Sequence, residues 1–473
     1  MNKNQNRNFD TNSKEVIETS LGTKIAYGNG VLADNLALQN FSYLGFSFYF
    51  AVVGLPVMFV SIGYILWSIW DAINDPLLGI LSDRTRTKWG RRKPWIYISI
   101  VPLCLTIIFL WAPPMGNILI TFVYFLIMLI LFDLFNTMYT VNFNSLWPEM
   151  FLTVEDRSSL GVSRSIFMII GLAIAFLLPE FIIEDIPNRY NLPNTPYQYL
   201  LNGIIASIII FITVLIMLKF GAFERKEFSK DVYATPSWKR AFKITLKNKV
   251  FILYCVVALA IYIVYSILPP MLPFYAEYVI GMQEPGLLLF LGLLVGAIST
   301  PLWMHLREKL GVRKSFFIAL TYWAAFFLIF LLAFNEILAY IIISFMGVGL
   351  GGSLYLYDQG IAEIIDDDEV RSGMDVRREG AYYGVISLFN RFSNAINALV
   401  IGLVFTGAGW AEYEPKEYVN VIFGLQFLVC IWPIIIIIIA LIMLYLWPLH
   451  GERLEENQKL LDKLHTQKRS KIR

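Results

Sequence analysis

The sequence is poor in charged residues. Among 473 residues, 38 are Lys or Arg and 36 are Asp or Glu, so that 16% of the chain is charged. About 25% is usual for a soluble protein. Apolar residues make up 57% of the chain and the mean hydropathy is +0.61. These values exclude a soluble multidomain enzyme, whereas the net charge of +2 says nothing about partners.

Cysteine and histidine are equally scarce, with three residues of each type. Every cysteine lies in an apolar run, where we expect it to pack as a small hydrophobic residue. The histidines show no metal-ligand spacing, and none lies in an apolar run beside a pair of carboxylates. A membrane enzyme would need a nucleophile with its base, or a metal centre. That class is therefore disfavoured.

Long apolar runs separated by charged gaps predict membrane-spanning helices. A helix needs about 20 apolar residues to cross a bilayer, and the apolar residues suffice for about a dozen such helices. The predicted spans are 25–54, 56–82, 94–113, 117–147, 159–180, 199–222, 250–275, 286–306, 314–334, 336–357, 380–408 and 419–447. The polar segment 1–24 lacks the apolar core of a cleavable signal, so we expect the first span to target the chain.

Basic residues accumulate in alternate gaps, which fixes the predicted orientation. They follow spans two, six and eight and fill the tail, 448–473. Because basic loops stay on the cytoplasmic side, both termini are predicted to be cytoplasmic. The longest basic gap, 223–249, divides the chain into two six-helix bundles, 25–222 and 250–447.

The two predicted bundles share a sequence pattern. A stretch from Pro76 to Lys93 has a counterpart from Pro301 to Lys314, and both lie between the second and third span of their bundle. Duplicated bundles with a site between them near the membrane midplane are typical of secondary transporters.

Two aspartates lie one turn apart inside the second span. Asp71 and Asp75 share a helix face, with Asn74 beside them. Each buried charge costs about 2.5–3.5 kcal/mol on insertion scales, and the two carboxylates also repel each other. A hard cation would offset both costs, because carboxylate and amide oxygens suit such ions. The alternative is that one aspartate pairs with an arginine of a neighbouring helix and the other caps a bend at Pro76. A function as a receptor or as a scaffold would not account for two aspartates inside one membrane span.

Polar residues in four other spans are candidates for substrate binding. Those of span four recur on one helix face: Asp133, Thr137, Thr140 and Asn144. Such a face is expected to border a water-filled cavity or another helix rather than lipid. The remaining candidates lie in spans one, five and eleven: Asp34, Asn35, Arg164, Asn390 and Arg391. Arg391 offers a fork of donors, either for a buried aspartate or for substrate oxygens.

The most specific motif lies in the second span and the loop after it. Residues 70–76 read WDAINDP, followed by DRT at 83–85, WGR at 89–91 and KPW at 93–95. This string resembles the second helix and following loop of the glycoside–pentoside–hexuronide:cation symporters, a branch of the major facilitator superfamily. Further matches are SLWPE at 145–149 and RREG at 377–380. The resemblance covers the chain from about Gly22 to the last span.

The resemblance implies an all-α integral membrane protein with the major facilitator fold, twelve transmembrane helices in two pseudo-symmetric halves. It places the family's cation site on four residues: Asp71, Asn74, Asp75 and Thr137. Arg391 matches a basic residue of helix eleven, usually Lys, and Arg164 matches a sugar-facing arginine.

The substrate half departs from the pattern of the melibiose permease, the familiar member of the family. Thr140 and Asn35 fall where that protein has carboxylates, and Asn144 falls where it has a tryptophan. Asp34 and Asp133 are the candidates to restore the two acidic groups.

The implied function is cation-coupled symport of a sugar or glycoside by alternating access, with Na⁺ or H⁺ as the coupling ion. We expect a monomeric multi-pass protein of the plasma membrane, with no enzymatic activity, no cofactor, no metal beyond the coupling cation and no nucleic-acid partner. The same pattern occurs in animal transporters that move lysophospholipids with sodium, so an amphiphile is the alternative substrate. A lipid carrier would need a wide apolar slot between helices, whereas the asparagines of spans one, four and eleven favour a sugar.

Charged residues at the helix ends are predicted to form a cytoplasmic latch between the two bundles. They are Asp83, Arg84, Arg91, Arg92, Glu308 and Arg313. Salt bridges among them are expected to close the cytoplasmic side in the outward-facing conformation. The acidic cluster 366–369 between spans ten and eleven is expected to be a solvated loop rather than a metal site.

Overall fold

Long helices account for nearly all of the described chain. The computed structural model describes residues 19–151, 153–183, 195–224, 245–282, 284–372, 379–414 and 419–451, and residues 454, 456–457 and 459–461 of the tail. Most of the predicted central loop, 225–244, lies outside these ranges, as do residues 1–18, 373–378 and 462–473.

Within the described ranges we number twelve long helices in chain order. They are α1 (Leu21–Ser47, continued by a π-helical turn, Phe48–Val52), α2 (Val57–Arg84), α3 (Lys93–Leu110), α4 (Ile118–Met150), α5 (Val154–Ile182), α6 (Thr195–Ile216, continued by Met217–Gly221), α7 (Lys249–Tyr275, continued by Ala276–Ile280), α8 (Pro285–Leu310), α9 (Val312–Phe330), α10 (Glu336–Ser372), α11 (Glu379–Ala408) and α12 (Val419–Gln426, Phe427–Ile431 and Trp432–Tyr445).

Eleven of these helices, α2 to α12, are long and apolar enough to cross a membrane. Helix α1 has the length, but it carries Asn29, Asp34, Asn35 and other polar residues that lower its hydropathy. It is nevertheless part of the bundle, because it packs along α5 and α6. The predicted all-α membrane fold is therefore confirmed.

Helices α4 and α10 begin with the same capping device. The side chain of Asn117 accepts a hydrogen bond from the backbone N–H of Ile120 at 3.1 Å. Asn335 accepts one from the N–H of Leu338 at 2.9 Å. An asparagine at this position satisfies a backbone donor that the first turn of a helix leaves free. The shared cap at the fourth helix of each half agrees with the predicted duplication.

The prediction for the acidic cluster 366–369 is wrong, because these residues form the last turns of α10 rather than a solvated loop. Helix α10 continues to Ser372, well past the predicted end at residue 357. Asp367 is 1% exposed, forms an ion pair with Arg371 at 2.9 Å, and accepts a hydrogen bond from Asn457 at 2.7 Å. Hydropathy marks only the membrane-embedded part of such a helix, so its polar extension was missed.

The helices pack as two sets, α1–α6 and α7–α12. In the first set α1 packs on α5 and α6, while α4 packs on α2 and α3. In the second set α10 packs on α8 and α9, while α7 packs on α11 and α12. The sets meet where α2 contacts α11, α1 contacts α7 and α5 contacts α8.

An aromatic cluster joins the two sets at the end of the bundle where α1 turns into α2. We call it the aromatic plug, and its members are Phe46, Phe50, Phe274, Phe405, Trp410 and Tyr413. The ring centroids of Phe50 and Phe405 are 5.5 Å apart, and those of Phe46 and Phe274 are 6.0 Å apart. At the same end the N–H of Val57 donates to the carbonyl of Ala411 at 2.9 Å. In this conformation the sets are therefore closed at the α1–α2 end.

Glycines allow α8 and α10 to approach each other closely. Gly292 and Gly296 of α8 face Gly347 and Gly351 of α10, backbone against backbone. A Cβ atom on Gly347 would collide with the carbonyl group of Gly292. Paired small residues at four-residue spacing are a common means of close helix packing in membranes.

We predict that Gly347→Ala lowers the melting temperature of the purified protein. The added methyl group meets rigid backbone rather than a flexible side chain, and overpacking of this kind costs about 1–3 kcal/mol. Gly384→Ala in α11 is the matched control, because a Cβ atom there meets nothing within 4 Å. Equal melting temperatures for the two variants would contradict this account of the α8–α10 contact.

Candidate functional site

A polar cavity lies between the two sets of helices. Its volume is about 390 Å³, and it is lined by residues of α1, α2, α4, α7 and α11. Most of the predicted site residues line it: Asp34, Asp71, Asp75, Asp133, Thr137, Thr140, Asn390 and Arg391. Side chains of five helices that are far apart in sequence thus converge on one space.

The centre of the site is a forked ion pair between the two sets. Arg391 of α11 donates through Nη1 to Asp71 Oδ2 and through Nη2 to Asp75 Oδ2 of α2. The side chain of Asp71 is 4% exposed, that of Asp75 is 26% exposed and that of Arg391 is 38% exposed. The one-turn spacing of the aspartates matches the fork of a guanidinium group. The sequence left open whether an arginine pairs with these aspartates. In the structure Arg391 pairs with both of them.

Beside this pair, Asn74 links α2 to α4. Its amide donates to Asp133 Oδ2 at 2.9 Å, and both residues are buried. Two oxygen atoms, Asp71 Oδ1 and Asn74 Oδ1, are buried and have no hydrogen-bond partner among the described residues. Thr137, one turn after Asp133, is buried in the same wall. A buried acceptor without a donor is costly, and oxygens of this kind are the ligands that hard cations take.

Asp34 occupies the wall of the cavity that α1 contributes. Thr140 of α4 donates its hydroxyl to Asp34 Oδ1 at 2.7 Å. Asn35, its neighbour in sequence, donates to the carbonyl of Val31 in its own helix at 2.9 Å and does not line the cavity. Because successive helical residues point about 100° apart, only one of the two can face this space.

Two further predicted substrate residues also lie outside the cavity wall. Arg164 of α5 donates to Asn144 Oδ1 at 2.9 Å. Its guanidinium carbon lies 5.6 Å from the ring centroids of Phe143 and Trp147. These aromatic faces and the amide engage the charge of Arg164. Asn35, Asn144 and Arg164 thus do not line this cavity in the present conformation, and their part in substrate binding stays a prediction.

Helix α7 supplies a wall that the sequence analysis missed, because α7 carries no charge there. Tyr262, Tyr265 and Ser266 lie on one face at helical spacing, and Tyr265 accepts a hydrogen bond from Gln39 of α1 at 3.2 Å. Ser266 in turn accepts one from the amide of Asn397 in α11 at 2.9 Å. The spacing of these three polar residues in an apolar helix was the available signal.

The residues of the predicted latch pair within their own sets. Asp83 forms an ion pair with Arg92 at 2.5 Å, and Arg91 forms one with Glu149 at 2.6 Å. In the second set Arg313 donates to the carbonyl of Leu444 at 3.0 Å.

Among the described residues, no ion pair of Arg84, Glu308 or the other latch residues joins the two sets. The aromatic plug that closes the bundle lies at the opposite, α1–α2 end. The latch stays a prediction for the conformation that is closed at its own end.

A bundle of apolar helices in two packed sets, with a polar cavity and an ion pair between them, defines a membrane transporter of the major facilitator type rather than an enzyme. The chain belongs to the family described as MFS/sugar transport protein, which matches residues 26–451. This confirms the predicted superfamily and a multi-pass protein of the plasma membrane. Its cargo is a small molecule.

Proteins of known name agree on the class and differ in substrate. The chain is 23% identical over 430 residues to the sodium-dependent lysophosphatidylcholine symporter 1-A of Danio rerio, covering 84% of this chain and 79% of that protein. It is 21% identical over 446 residues to the glucuronide carrier protein homolog of Escherichia coli K12, covering 93% and 95%. The crystal structure of a D-xylose-proton symporter superposes with a TM-score of 0.63 at 13% identity, covering 91% of this chain and 98% of that one.

We predict that Arg391→Gln lowers the melting temperature, because Asp71 and Asp75 then face each other without a counter-charge. Breaking a fully buried pair costs about 3–5 kcal/mol. The 38% exposure of the Arg391 side chain reduces this figure through solvent screening. Arg391→Lys should recover part of the loss. Arg164→Gln, which removes an arginine that forms no ion pair with a carboxylate among the described residues, serves as the control, and a larger loss in that variant would contradict the assignment.

The pairing of Asp83 with Arg92 generates a prediction about the transport rate. Asp83→Asn should slow transport in proteoliposomes while changing substrate affinity by no more than a few-fold, because Asp83 lies outside the cavity and is one of the residues predicted to latch the cytoplasmic end. Glu155→Gln removes a similar charge from an exposed position in the first turn of α5 and should leave the rate unchanged. An unchanged transport rate in Asp83→Asn would mean that the basic loop after α2 serves only to orient the chain in the membrane.

Proposed function

We propose that this protein carries out cation-coupled symport of a sugar or glycoside by alternating access. One observation carries the proposal. The buried oxygens Asp71 Oδ1 and Asn74 Oδ1 have no donor among the described residues. Asp71 lines the cavity between the two sets of helices, and Asn74 donates to Asp133, which also lines it. A cation bound to these two oxygens would relieve their burial and would sit next to the space that a substrate occupies.

The charge balance around these oxygens supports a cation. Asp71, Asp75 and Asp133 bring three carboxylates together, and Arg391 supplies one positive charge. With all groups ionised, two negative charges remain in a water-poor region, where an uncompensated charge is expensive. Sodium would find carboxylate, amide and hydroxyl oxygens on Asp71, Asn74, Asp75 and Thr137. A proton on one carboxylate would reduce the same excess, so Na⁺ and H⁺ are both proposed.

The ion pair supplies a route from cation binding to conformational change. In the proposed mechanism a cation and Arg391 compete for Asp71 and Asp75. Cation binding would therefore weaken the link between α2 and α11 and free the guanidinium group for substrate oxygens. The aromatic plug closes the α1–α2 end in the present conformation. Rocking of the two sets about the cavity would open that end and close the other.

The walls of the cavity favour a sugar. A volume of about 390 Å³ lies within the usual range of small-molecule sites, about 300–1,000 Å³. Amides, hydroxyls and carboxylates line it together with tryptophan and tyrosine rings. Hydroxyl-rich ligands are bound by such groups, with the flat faces of the sugar against the aromatic rings.

An amphiphile is the second candidate, because an apolar crevice adjoins the cavity. The crevice lies between α5, α7, α8 and α10 and shares Gln39, Tyr265 and Pro269 with the cavity wall. The sodium-dependent lysophosphatidylcholine symporter among the relatives is in line with it. Its volume is only about 30 Å³, roughly that of one water molecule. An acyl chain would need a wider slot, so the sugar is proposed first.

The central prediction concerns Asp71→Asn and Asp75→Asn. Each variant should lose the stimulation of substrate binding by the cation, because linkage requires the ion and the substrate to raise each other's affinity equally. The loss should lie in the range of 5–150-fold, equivalent to about 1–3 kcal/mol. Stability should change little, because Arg391 keeps the other carboxylate as its partner.

The measurement is cation-dependent substrate binding together with the melting temperature of the same samples. The substrate is first identified from a panel of labelled mono- and disaccharides and lysolipids, taken up into proteoliposomes with and without a sodium or proton gradient. Asp83→Asn, outside the cavity, should retain the cation effect. If both Asp71→Asn and Asp75→Asn keep the cation effect and melt at lower temperatures, the aspartates have only a structural role, as partners of an ion pair.

A further inference from the structure

The cavity contains more negative charge than the coupling cation alone compensates. Its titratable lining consists of four aspartates, one arginine and three tyrosines, with no lysine or histidine: Asp34, Asp71, Asp75, Asp133, Arg391, Tyr64, Tyr262 and Tyr265. The fork of Arg391 is taken by Asp71 and Asp75. With the carboxylates ionised, the formal charge of the wall is −3, from four carboxylates against one guanidinium group.

Two of the carboxylates have neutral partners only. Asp34 accepts a hydrogen bond from the Thr140 hydroxyl at 2.7 Å, and Asp133 accepts one from the Asn74 amide at 2.9 Å. Neither forms an ion pair with any residue that the structure describes. A coupling cation at Asp71 and Asn74 lies on the side of Asp133. Asp34, on α1, is under the influence of the positive charge of Arg164, which lies outside the cavity wall and donates to Asn144, but forms no ion pair with it.

Several neutral polar groups of the cavity wall have no hydrogen-bond partner among the described residues, and they include the donors Tyr64 Oη and Trp67 Nε1 as well as acceptors. Asn390 is 8% exposed, and its amide nitrogen donates to the Tyr357 hydroxyl at 3.0 Å. Its Oδ1 atom is buried in the cavity wall without a partner, and the same is true of Asn136 Oδ1. A ligand that satisfies these acceptors must therefore bring donors. A carboxylate or phosphate brings none and would be repelled by the aspartates.

Aromatic rings complete the environment. Trp67, Tyr64, Tyr262 and Tyr265 line the cavity from α2 and α7. The faces of such rings attract ammonium groups, by about 0.5–2 kcal/mol each depending on desolvation. Negative charge, two unpartnered amide oxygens and ring faces are three separate features of the wall, and each can bind an ammonium group.

We propose that the substrate carries a positively charged ammonium group and that Asp34 binds it. The inference deepens the proposed function and rests on it, since it concerns the substrate of the same transport site. Asp34 is the binding carboxylate because it is less buried than Asp133 and is separate from the cation oxygens on α2. The Thr140 hydroxyl holds it in place. Acidic compounds such as hexuronides, which carry no cationic group, are excluded.

The test compares compounds that differ only in charge, by thermal stabilisation of the purified full-length protein. One set has a sugar ring: glucosamine, glucose and glucuronate. The other has a short chain: butylammonium, butanol and butyrate. The ammonium member of at least one set should stabilise the protein at a concentration at least tenfold lower than its neutral counterpart, and the acid should have no effect. Equal effects across charge, the reverse ranking, or no stabilisation by either ammonium compound would overturn the proposal.

Two variants separate the role of Asp34 from general charge. Asp34→Asn should reduce the preference for ammonium to within about twofold, whereas Thr140→Val, which keeps the carboxylate and removes its donor, should retain it. The melting temperatures of both variants without ligand verify that they fold. A preference that survives in Asp34→Asn would remove Asp34 from the proposal.

The same assays, run with and without sodium and at two pH values, test this inference and the proposed symport separately. Ammonium preference without any cation dependence would support this inference and contradict symport. Cation-dependent binding of glucose without ammonium preference would support symport and contradict this inference.

Discussion

The forked ion pair of Arg391 with Asp71 and Asp75 is the interaction on which the arrangement of the site depends. It is formed across the interface of the two helix sets, where α2 meets α11. Charges in a low-dielectric region are tolerated only when they are paired and hydrogen-bonded. Breaking this pair is therefore costly unless another charge takes its place, which makes the contact responsive to a cation in a way that apolar packing is not.

The other contacts between the sets have a different character. The rings of the aromatic plug meet at centroid distances such as 5.5 Å for Phe50 and Phe405, and each aromatic pair adds only about 0.5–1.5 kcal/mol beyond its buried area. Such contacts carry no charge, so they can separate and re-form without leaving a charge unpaired. Within the second set, by contrast, the glycines of α8 and α10 bring backbone against backbone. Close packing inside a set and soft packing between sets favour motion of the sets as units.

Much of the fold and the charged residues of the cavity wall could be predicted from the sequence, for a simple physical reason. A charge inside an apolar helix is expensive, so Asp71, Asp75, Asp133 and Arg391 marked the cavity without any knowledge of its shape. The rest depends on quantities that periodicity does not contain. The rotation of α1 decides whether Asp34 or Asn35 faces the cavity, and neutral α7 gives no energetic signal. Arg164 meets Asn144 and two aromatic rings because of packing that only the assembled bundle defines.

The residues proposed for the cation are separate from those of the wall proposed for the substrate. This separation would allow one fold to serve different substrates. The residues proposed for the cation lie on α2 and α4, and in the described part of the chain Arg391 provides their hydrogen bonds to the second set. The groups that depart from the family pattern lie on α1 and further along α4, at Asp34 and Thr140, which bond to each other rather than to the ion pair. Residues there can change without disturbing the charges that couple the two sets. In the proposed mechanism the charge and donors of that wall decide the substrate, and membership of the family leaves it open.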